Sequence, residues 1–153
     1  GKSRLALKLC GKLRPAVYAS LEMPEEMTAS YLAKLDVPLA AVWVTTGRDW
    51  RTVALQAKPR LVVVDSISEF GHGAAAEMAA CYEWAHRQRV TVIAICHATK
   101  SGDAKGSSEL EHKSDAAIVI RARGRGRVTM VAPRKNRFAP PGALAPVANC
   151  SIV

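Results

Sequence analysis

The feature that most constrains the fold is the segment 61–64, a leucine followed by three valines with no polar interruption. A strand that faces water on one side alternates apolar and polar residues, whereas an uninterrupted run is typical of a strand covered on both faces. Such strands occur mainly in parallel sheets with helices on both sides. The run therefore predicts an α/β domain with a mostly parallel central sheet.

Other segments alternate along the chain in the order that such a fold requires. Short apolar runs predict three more strands, at 16–21, 41–44 and 90–96. Helical patterns separate them, at 3–12, 24–35, 49–57 and 74–89. Asp49 is placed to cap the third of these helices. Two later runs, 116–122 and 127–132, flank a glycine-containing turn and predict an antiparallel extension. We expect the 153 residues to form one domain, with the segment 99–108 as a mobile loop.

Composition excludes several classes of protein. Hydrophobic residues make up 49% of the chain, too many for a disordered tail, and no apolar run is long enough to cross a membrane. The four cysteines show no C-x-x-C spacing, so reduced core residues are favoured over a zinc site, and the cytosol is the expected location. The tryptophans at 43, 50 and 84 fall on predicted helices or strands and are expected in the core.

The charge distribution indicates a polyanionic partner, although a solvated basic face is the simpler alternative. The formal net charge is +9, because 22 lysines and arginines outnumber 13 acidic residues. No acid occurs from residue 121 to residue 153, where seven basic residues cluster: Arg121, Arg123, Arg125, Arg127, Arg134, Lys135 and Arg137. A one-sided balance of this kind favours binding of nucleic acid or nucleotide.

Two short motifs point to a nucleotide. Gly1-Lys2-Ser3, just before a predicted helix, matches the second half of the phosphate-binding loop G-x-x-x-x-G-K-[ST]. In that loop backbone amides bind phosphate oxygens, the lysine reaches the outer phosphates and the serine ligates magnesium. Asp65, at the end of the apolar run, would hold the magnesium water shell opposite Ser3. A basic N-terminus and a capping aspartate are the alternative interpretations.

Glu22 follows the strand predicted at 16–21, at the edge where ligands bind in open α/β sheets. A carboxylate there can polarise the water that attacks the γ-phosphate of ATP. Alternatively, it is a first-turn glutamate stabilised by the helix dipole. The surrounding Ser-Leu-Glu-Met-Pro at 20–24 resembles the corresponding segment of DnaB-type replicative helicases, in which the glutamate is the catalytic base.

Later segments resemble the bacterial RadA/Sms repair ATPases of the RecA-like P-loop superfamily. His-Ala-Thr-Lys-Ser-Gly at 97–102 is similar to the H-x-T-K-x-G segment of that family, and Leu-Glu-His at 110–112 with Asp115 is similar to its L-E-H-x-x-D. Lys-Asn-Arg-Phe at 135–138 resembles the family's K-N-R-F-G, with Ala139 in place of the glycine. The resemblance extends from residue 1 to about residue 138.

The resemblance implies further site residues. His97 would be the sensor beside Asp65 and would couple the γ-phosphate to DNA through the segment 98–113. Lys135 and Arg137 would point across a subunit interface at the neighbour's nucleotide, as arginine fingers do, in a homo-oligomer for which a hexameric ring is plausible. From their charge and position, the best candidates for DNA phosphate contacts are Lys100, Lys105 and Lys113, in or beside the predicted loop, with Arg123, Arg125 and Arg127 second.

The resemblance thus implies a RecA-like P-loop NTPase core that binds ATP and Mg²⁺. Because nothing precedes Gly1 in this sequence, we expect the first strand to be missing and the chain to be a fragment. The predicted function is a DNA-dependent ATPase that moves on single-stranded or branched DNA in repair or recombination. A DnaB-like hexameric replicative helicase and a non-catalytic DNA-binding fragment remain alternatives.

Overall fold

A computed structural model describes residues 1–97, 107–123 and 127–137 of the chain. Its helices are α1 (Lys2–Lys12), α2 (Glu25–Lys34), α3 (Trp50–Ala57), α4 (Ala74–Gln88) and α5 (Ser107–His112). Its strands are β1 (Ala16–Ser20), β2 (Val42–Thr45), β3 (Leu61–Asp65), β4 (Thr91–Ile95), β5 (Ala116–Arg123) and β6 (Arg127–Asn136). Short 3₁₀ segments precede β2 and follow β3. None of the helices within the described ranges is long and apolar enough to cross a membrane.

The first four strands form one parallel sheet in the order β2-β1-β3-β4. Every residue of β1 and β3 is buried, as the uninterrupted apolar run predicts for strands with both faces covered. Strands β5 and β6 pair antiparallel as a separate hairpin. The predicted architecture, a parallel sheet flanked by helices with an antiparallel extension, is therefore confirmed.

Alternate residues of β1 and β3 enter two separate cores. On one face Tyr18 and Val63 pack with Leu7 of α1 and Leu32 of α2. On the other face Val62 and Val64 pack with Trp50 of α3 and Trp84 of α4. The two indole rings meet edge to face, with centroids 5.1 Å apart. Burying a valine side chain contributes roughly 1.5–3 kcal/mol, so this double-sided strand is a large source of stability.

Three local predictions differ from the structure. Asp49 stands before α3, but its carboxylate accepts a hydrogen bond from the Thr52 hydroxyl, at 3.0 Å, and caps no backbone amide. Trp43 is 49% exposed because it lies on β2, the outermost strand, so its predicted place in the core is wrong. The predicted loop 99–108 overlaps α5, which begins at Ser107, and the segment 98–106 lies outside the described residues.

A groove of about 1020 Å³ runs along β4, between α1 and α4, and reaches β5. Its walls are mainly apolar, and Lys2 and His97 stand among its lining residues. Among the described residues no strand pairs with the outer edge of β4. The groove therefore combines a free backbone edge with apolar walls contributed by helices on both faces of the sheet.

Gly11, near the end of α1, provides a test of how tightly α1 packs against the segment after α2. A Cβ atom at Gly11 would lie 3.0 Å from both methyl carbons of Val37, which is buried. Alanine is the better helix former by about 1 kcal/mol, yet we expect Gly11→Ala to lower the free energy of unfolding because Val37 must move. Urea unfolding measures the change. In a Val37→Ala background the same substitution should become neutral or stabilising, and an equal loss in both backgrounds would contradict the contact.

Candidate functional site

The predicted nucleotide-site residues converge at one edge of the parallel sheet. Parallel strands end at the same edge, and the register places Ser20 beside Asp65 and Asp65 beside Ile95. Glu22 follows β1 at this edge and His97 follows β4. The start of α1, with Lys2 and Ser3, reaches the same edge, because the positive charge of Lys2 lowers the pKa of Glu22 and Ser3 lies close enough to Tyr18 to affect the pKa of its hydroxyl.

Glu22 and His97 form a direct pair. His97 Nε2 lies 2.6 Å from Glu22 Oε1, and the two side chains are 50% and 31% exposed. The backbone amide of His97 donates to the Ser68 hydroxyl, at 3.2 Å, which ties the end of β4 to the segment after β3. The pair therefore bridges the ends of β1 and β4 across the end of β3.

The backbone around Glu22 is fixed by buried hydrogen bonds. The Leu21 amide donates to the Asp65 carbonyl at 2.7 Å, extending the pairing of β1 and β3 by one residue. The Ser20 hydroxyl donates to the Met23 carbonyl at 2.8 Å and accepts from Thr28 at 2.9 Å. Ser20 and Thr28 are both buried, so these hydrogen bonds anchor the turn that carries Glu22 in the core.

The surroundings of Glu22 favour its ionised form. Burial alone would raise the pKa of this carboxyl, but Ser66, the hydrogen bond and charge of His97, and the charge of Lys2 outweigh burial and lower the pKa below its usual value. The Ser66 hydroxyl is fully buried and forms no hydrogen bond of normal geometry within the described part of the chain, so its effect on Glu22 is electrostatic. Glu22 is therefore a carboxylate at neutral pH.

A buried tyrosine connects the two predicted magnesium ligands. The hydroxyl of Tyr18, on β1, donates to Asp65 Oδ2, and Ser3 is near enough to oppose the rise in the pKa of that hydroxyl. Burial, followed by the bond to Asp65 and its charge, raises the pKa of Tyr18, so its hydroxyl stays protonated and keeps donating. Tyr18 is not among the residues predicted from the sequence, because no local signal separates it from an ordinary core tyrosine in an apolar strand.

The residues fit a magnesium ion. Magnesium prefers oxygen ligands, and the Ser3 hydroxyl and the Asp65 carboxylate are separated by a single tyrosine hydroxyl. Asp65 is only 4% exposed, so its charge is poorly solvated and favours a nearby cation. Burial raises the pKa of the neighbouring Cys96 to about 11, although Lys2 opposes the shift. Cys96 is therefore a neutral thiol and a poor metal ligand at neutral pH.

Lys135 and Arg137 have partners within their own chain. Lys135 Nζ donates to the carbonyls of Glu111 and His112, at 2.8 and 2.9 Å, at the end of α5. Arg137 lies 3.2 Å from an Asp115 carboxylate oxygen and 2.8 Å from the Tyr82 hydroxyl, to which it donates. These contacts lie beside α4 and α5, apart from the Glu22–His97 pair. The arginine-finger role of both residues stays a prediction.

The structure places three of the six DNA-binding candidates. Lys113 is exposed just after α5, while Arg123 and Arg127 are opposite each other at the turn end of the β5–β6 hairpin. Lys100, Lys105 and Arg125 lie outside the described residues, as do Phe138 and the glycines of the predicted loop. DNA binding by these residues therefore stays a prediction.

The substitution Tyr18→Phe tests the buried link between Ser3 and Asp65. It removes the donor to a carboxylate that is nearly inaccessible to water, so we expect the free energy of unfolding to fall by about 1–3 kcal/mol. Urea unfolding at neutral pH measures the loss. Tyr31→Phe is the matched control, because Tyr31 on α2 is half-buried and its hydroxyl forms no hydrogen bond within the described residues, so the change should alter stability by less than about 0.5 kcal/mol. Equal effects of the two substitutions would argue against the link.

The sequence of the chain is similar to the sequences of several known proteins. No family model matches the chain. The chain is 29% identical to the DNA repair protein RadA of Haemophilus influenzae over 90% of its own length, and 28% and 27% identical to the RadA proteins of Pseudomonas aeruginosa and Escherichia coli over the same share. It spans 34% of the length of each of these curated relatives. The resemblance indicated by the motifs is thereby confirmed: the chain is similar to DNA repair proteins named RadA.

Proposed function

We propose that the protein is a DNA-dependent ATPase of the RadA/RecA type, which hydrolyses Mg-ATP in the cytoplasm to move on single-stranded or branched DNA in repair or recombination. The observation that supports this most strongly is the ionised Glu22, held 2.6 Å from His97. Lys2, Ser3 and Asp65 stand at the same sheet edge, and this common location supports roles in phosphate and magnesium binding.

The start of α1 would bind the phosphates. The first amides of a helix have no partner within the helix, and the helix dipole favours negative charge at that end. Gly1 is the N-cap residue, and Lys2 contributes a side-chain charge directed at the site. Ser3 and Asp65 would hold the magnesium ion, which neutralises the charge that develops on the phosphoryl group when it is bound.

Glu22 would act as the general base. Its lowered pKa keeps it ionised, so it can accept a hydrogen bond from the attacking water and orient that water toward the γ-phosphate.

His97 would act as the sensor. Its Nε2 is engaged by Glu22 in this structure and cannot serve a phosphate oxygen at the same time. A γ-phosphate that attracts the imidazole would therefore release Glu22 for water and move the end of β4.

Movement at His97 would be passed to DNA through the chain that follows β4. The segment 98–113 leads directly from His97 to Lys113, one of the DNA-contact candidates. Lys135 and Arg137 would reach the nucleotide of the next subunit in a homo-oligomeric ring. They would do so by exchanging their bonds to α5 and Asp115 for phosphate oxygens. Such an exchange links the state of the hairpin to the state of a neighbouring site.

The Ser-Leu-Glu-Met-Pro turn favours a second candidate, a DnaB-like replicative helicase. The hydrogen bonds of this turn fix the position of Glu22, and a helicase needs a catalytic base in a fixed position because it hydrolyses ATP in every step. Directional unwinding of a forked duplex distinguishes this candidate from branch migration. A folded protein that binds DNA without ATP turnover would instead favour the non-catalytic fragment.

The proposed base is tested by Glu22→Gln, in the chain with a complete phosphate-binding loop placed before Gly1. We expect phosphate release from Mg-ATP to fall by about 10²–10⁴-fold with DNA binding retained, because an amide cannot accept the proton. Phosphate release is measured with and without single-stranded DNA. Glu25→Gln, an exposed neighbour in the first turn of α2, is the control and should stay within about twofold of the unsubstituted chain. Unchanged turnover in the Glu22 variant would remove it from this role.

The pairing of Glu22 with His97 predicts a pH effect with a definite sign. The hydrogen bond and charge of His97 lower the pKa of Glu22, while burial raises it. Replacing His97 with Ala therefore raises the pKa of Glu22, so the acidic limb of the kcat/KM profile should move to higher pH. Profiles of phosphate release from pH 4 to pH 8 measure the shift. An acidic limb that stays in place, or moves to lower pH, would show that His97 does not control this carboxylate.

A further inference from the structure

A band of basic side chains covers the sheet edge opposite the nucleotide site. In a parallel sheet all strands begin at the same edge, so the last turns of α1 to α4 and the loops that follow them meet there. We call the exposed lysines and arginines of these segments the amino-edge face: Lys12, Arg14, Lys34, Lys58, Arg60, Arg87 and Arg89. Every strand of the sheet is preceded by at least one of them.

The amino-edge face is almost free of opposing charge. Asp36 is the only acid in the same turns and loops, and it is exposed. None of the seven basic residues forms an ion pair with an acid of the described ranges. Like charges gathered on one edge repel one another, so the arrangement favours a polyanion that neutralises several of them together.

Backbone pairing brings three arginines to the same stretch of this sheet edge. The Arg60 amide donates to the Pro15 carbonyl at 2.8 Å, and the Thr91 amide donates to the Arg60 carbonyl at 3.3 Å. These bonds continue the sheet one residue beyond its strands, where the register pairs Arg60 with Pro15 and Val90. Arg14 and Arg89 each precede one of these partners, so the backbone positions of the three arginines are spread over about 10 Å of the sheet edge.

Interaction with the helix dipoles explains only some of the basic residues of the amino-edge face. A cation in the last turn of a helix interacts favourably with the helix dipole, which explains Lys12, Lys34 and Arg87. Lys58 and Arg89 follow their helices and adopt left-handed backbone conformations, with φ of 45° and 53°. Glycine is favoured at such positions because it has no Cβ. A basic side chain therefore stands where the local backbone favours glycine, at two equivalent positions.

We propose that the amino-edge face binds the phosphate backbone of nucleic acid, at the sheet edge opposite the predicted nucleotide-site residues and through residues other than the six DNA-binding candidates. Arginine and lysine grip phosphate oxygens without reading bases, so binding should show little sequence preference and strong dependence on salt. The presence of an anion-binding face rests on the geometry of the sheet. The choice of nucleic acid among polyanions rests on the proposed function.

The double substitution Lys58→Gly with Arg89→Gly separates binding from folding. Glycine suits both backbone conformations, so the melting temperature should stay constant or rise, while two phosphate contacts are lost. Fluorescence anisotropy with a labelled single-stranded oligothymidylate, without ATP, measures binding across a range of salt concentrations. We expect affinity to fall at least fivefold in low salt, and the slope of log K against log salt to shrink by about 1.4, which is 0.7 for each lost contact.

The matched control removes the same charge elsewhere. Lys8→Gln with Arg48→Gln takes two positive charges from the middle of α1 and from the loop after β2, and should lower affinity by less than twofold. An equal loss of affinity in both double variants would show that only the net charge of the protein matters, and it would overturn the proposal. Unchanged affinity in the glycine variant would overturn it too, as would an unsubstituted chain that binds acidic peptides or anionic vesicles but no oligonucleotide. Because no step uses ATP, failure of the ATPase proposal leaves this result interpretable.

Discussion

The parallel pairing of β3 between β1 and β4 is the constraint on which the rest of the structure depends. It buries an uninterrupted apolar strand on both faces, and so requires helices on both sides of the sheet. The same pairing brings the ends of the three strands to one edge. Glu22, Asp65 and His97 are therefore brought together by the register that builds the core, although they are far apart in the sequence.

Buried hydroxyl groups connect the core to the candidate site and fix the positions of its carboxylates. Tyr18 reaches from the centre of β1 to Asp65, and Ser20 with Thr28 holds the turn beneath Glu22. Each hydroxyl would be costly to bury without a partner, so the bonds that orient the carboxylates also satisfy the core. The site therefore depends on polar groups placed inside an otherwise apolar sheet.

The sequence predicts the sheet and most of the site because both leave local patterns. Uninterrupted apolar runs mark β1 and β3, and a carboxylate directly after each run marks the ligand edge. Tyr18 escaped prediction because a tyrosine in a strand is usually a core residue, and only the packing of β1 beside β3 shows that its hydroxyl reaches Asp65. Trp43 was misplaced because strand order, which puts β2 outermost, leaves no local signal. The amino-edge face was missed for the same reason, since its charges are spread over four loops that only the topology gathers.

The outer edge of β4 affects how the chain behaves at high concentration. Natural edge strands are protected from sticking to one another by lysines, prolines, bulges or short length. The sequence of β4, Thr-Val-Ile-Ala-Ile, has no charge and no proline, and it borders the apolar groove. Among the described residues nothing pairs with this edge, so one copy can add a strand to another there. This edge therefore favours association in concentrated solution, whereas the net charge of +9 opposes it, and added salt weakens that opposition.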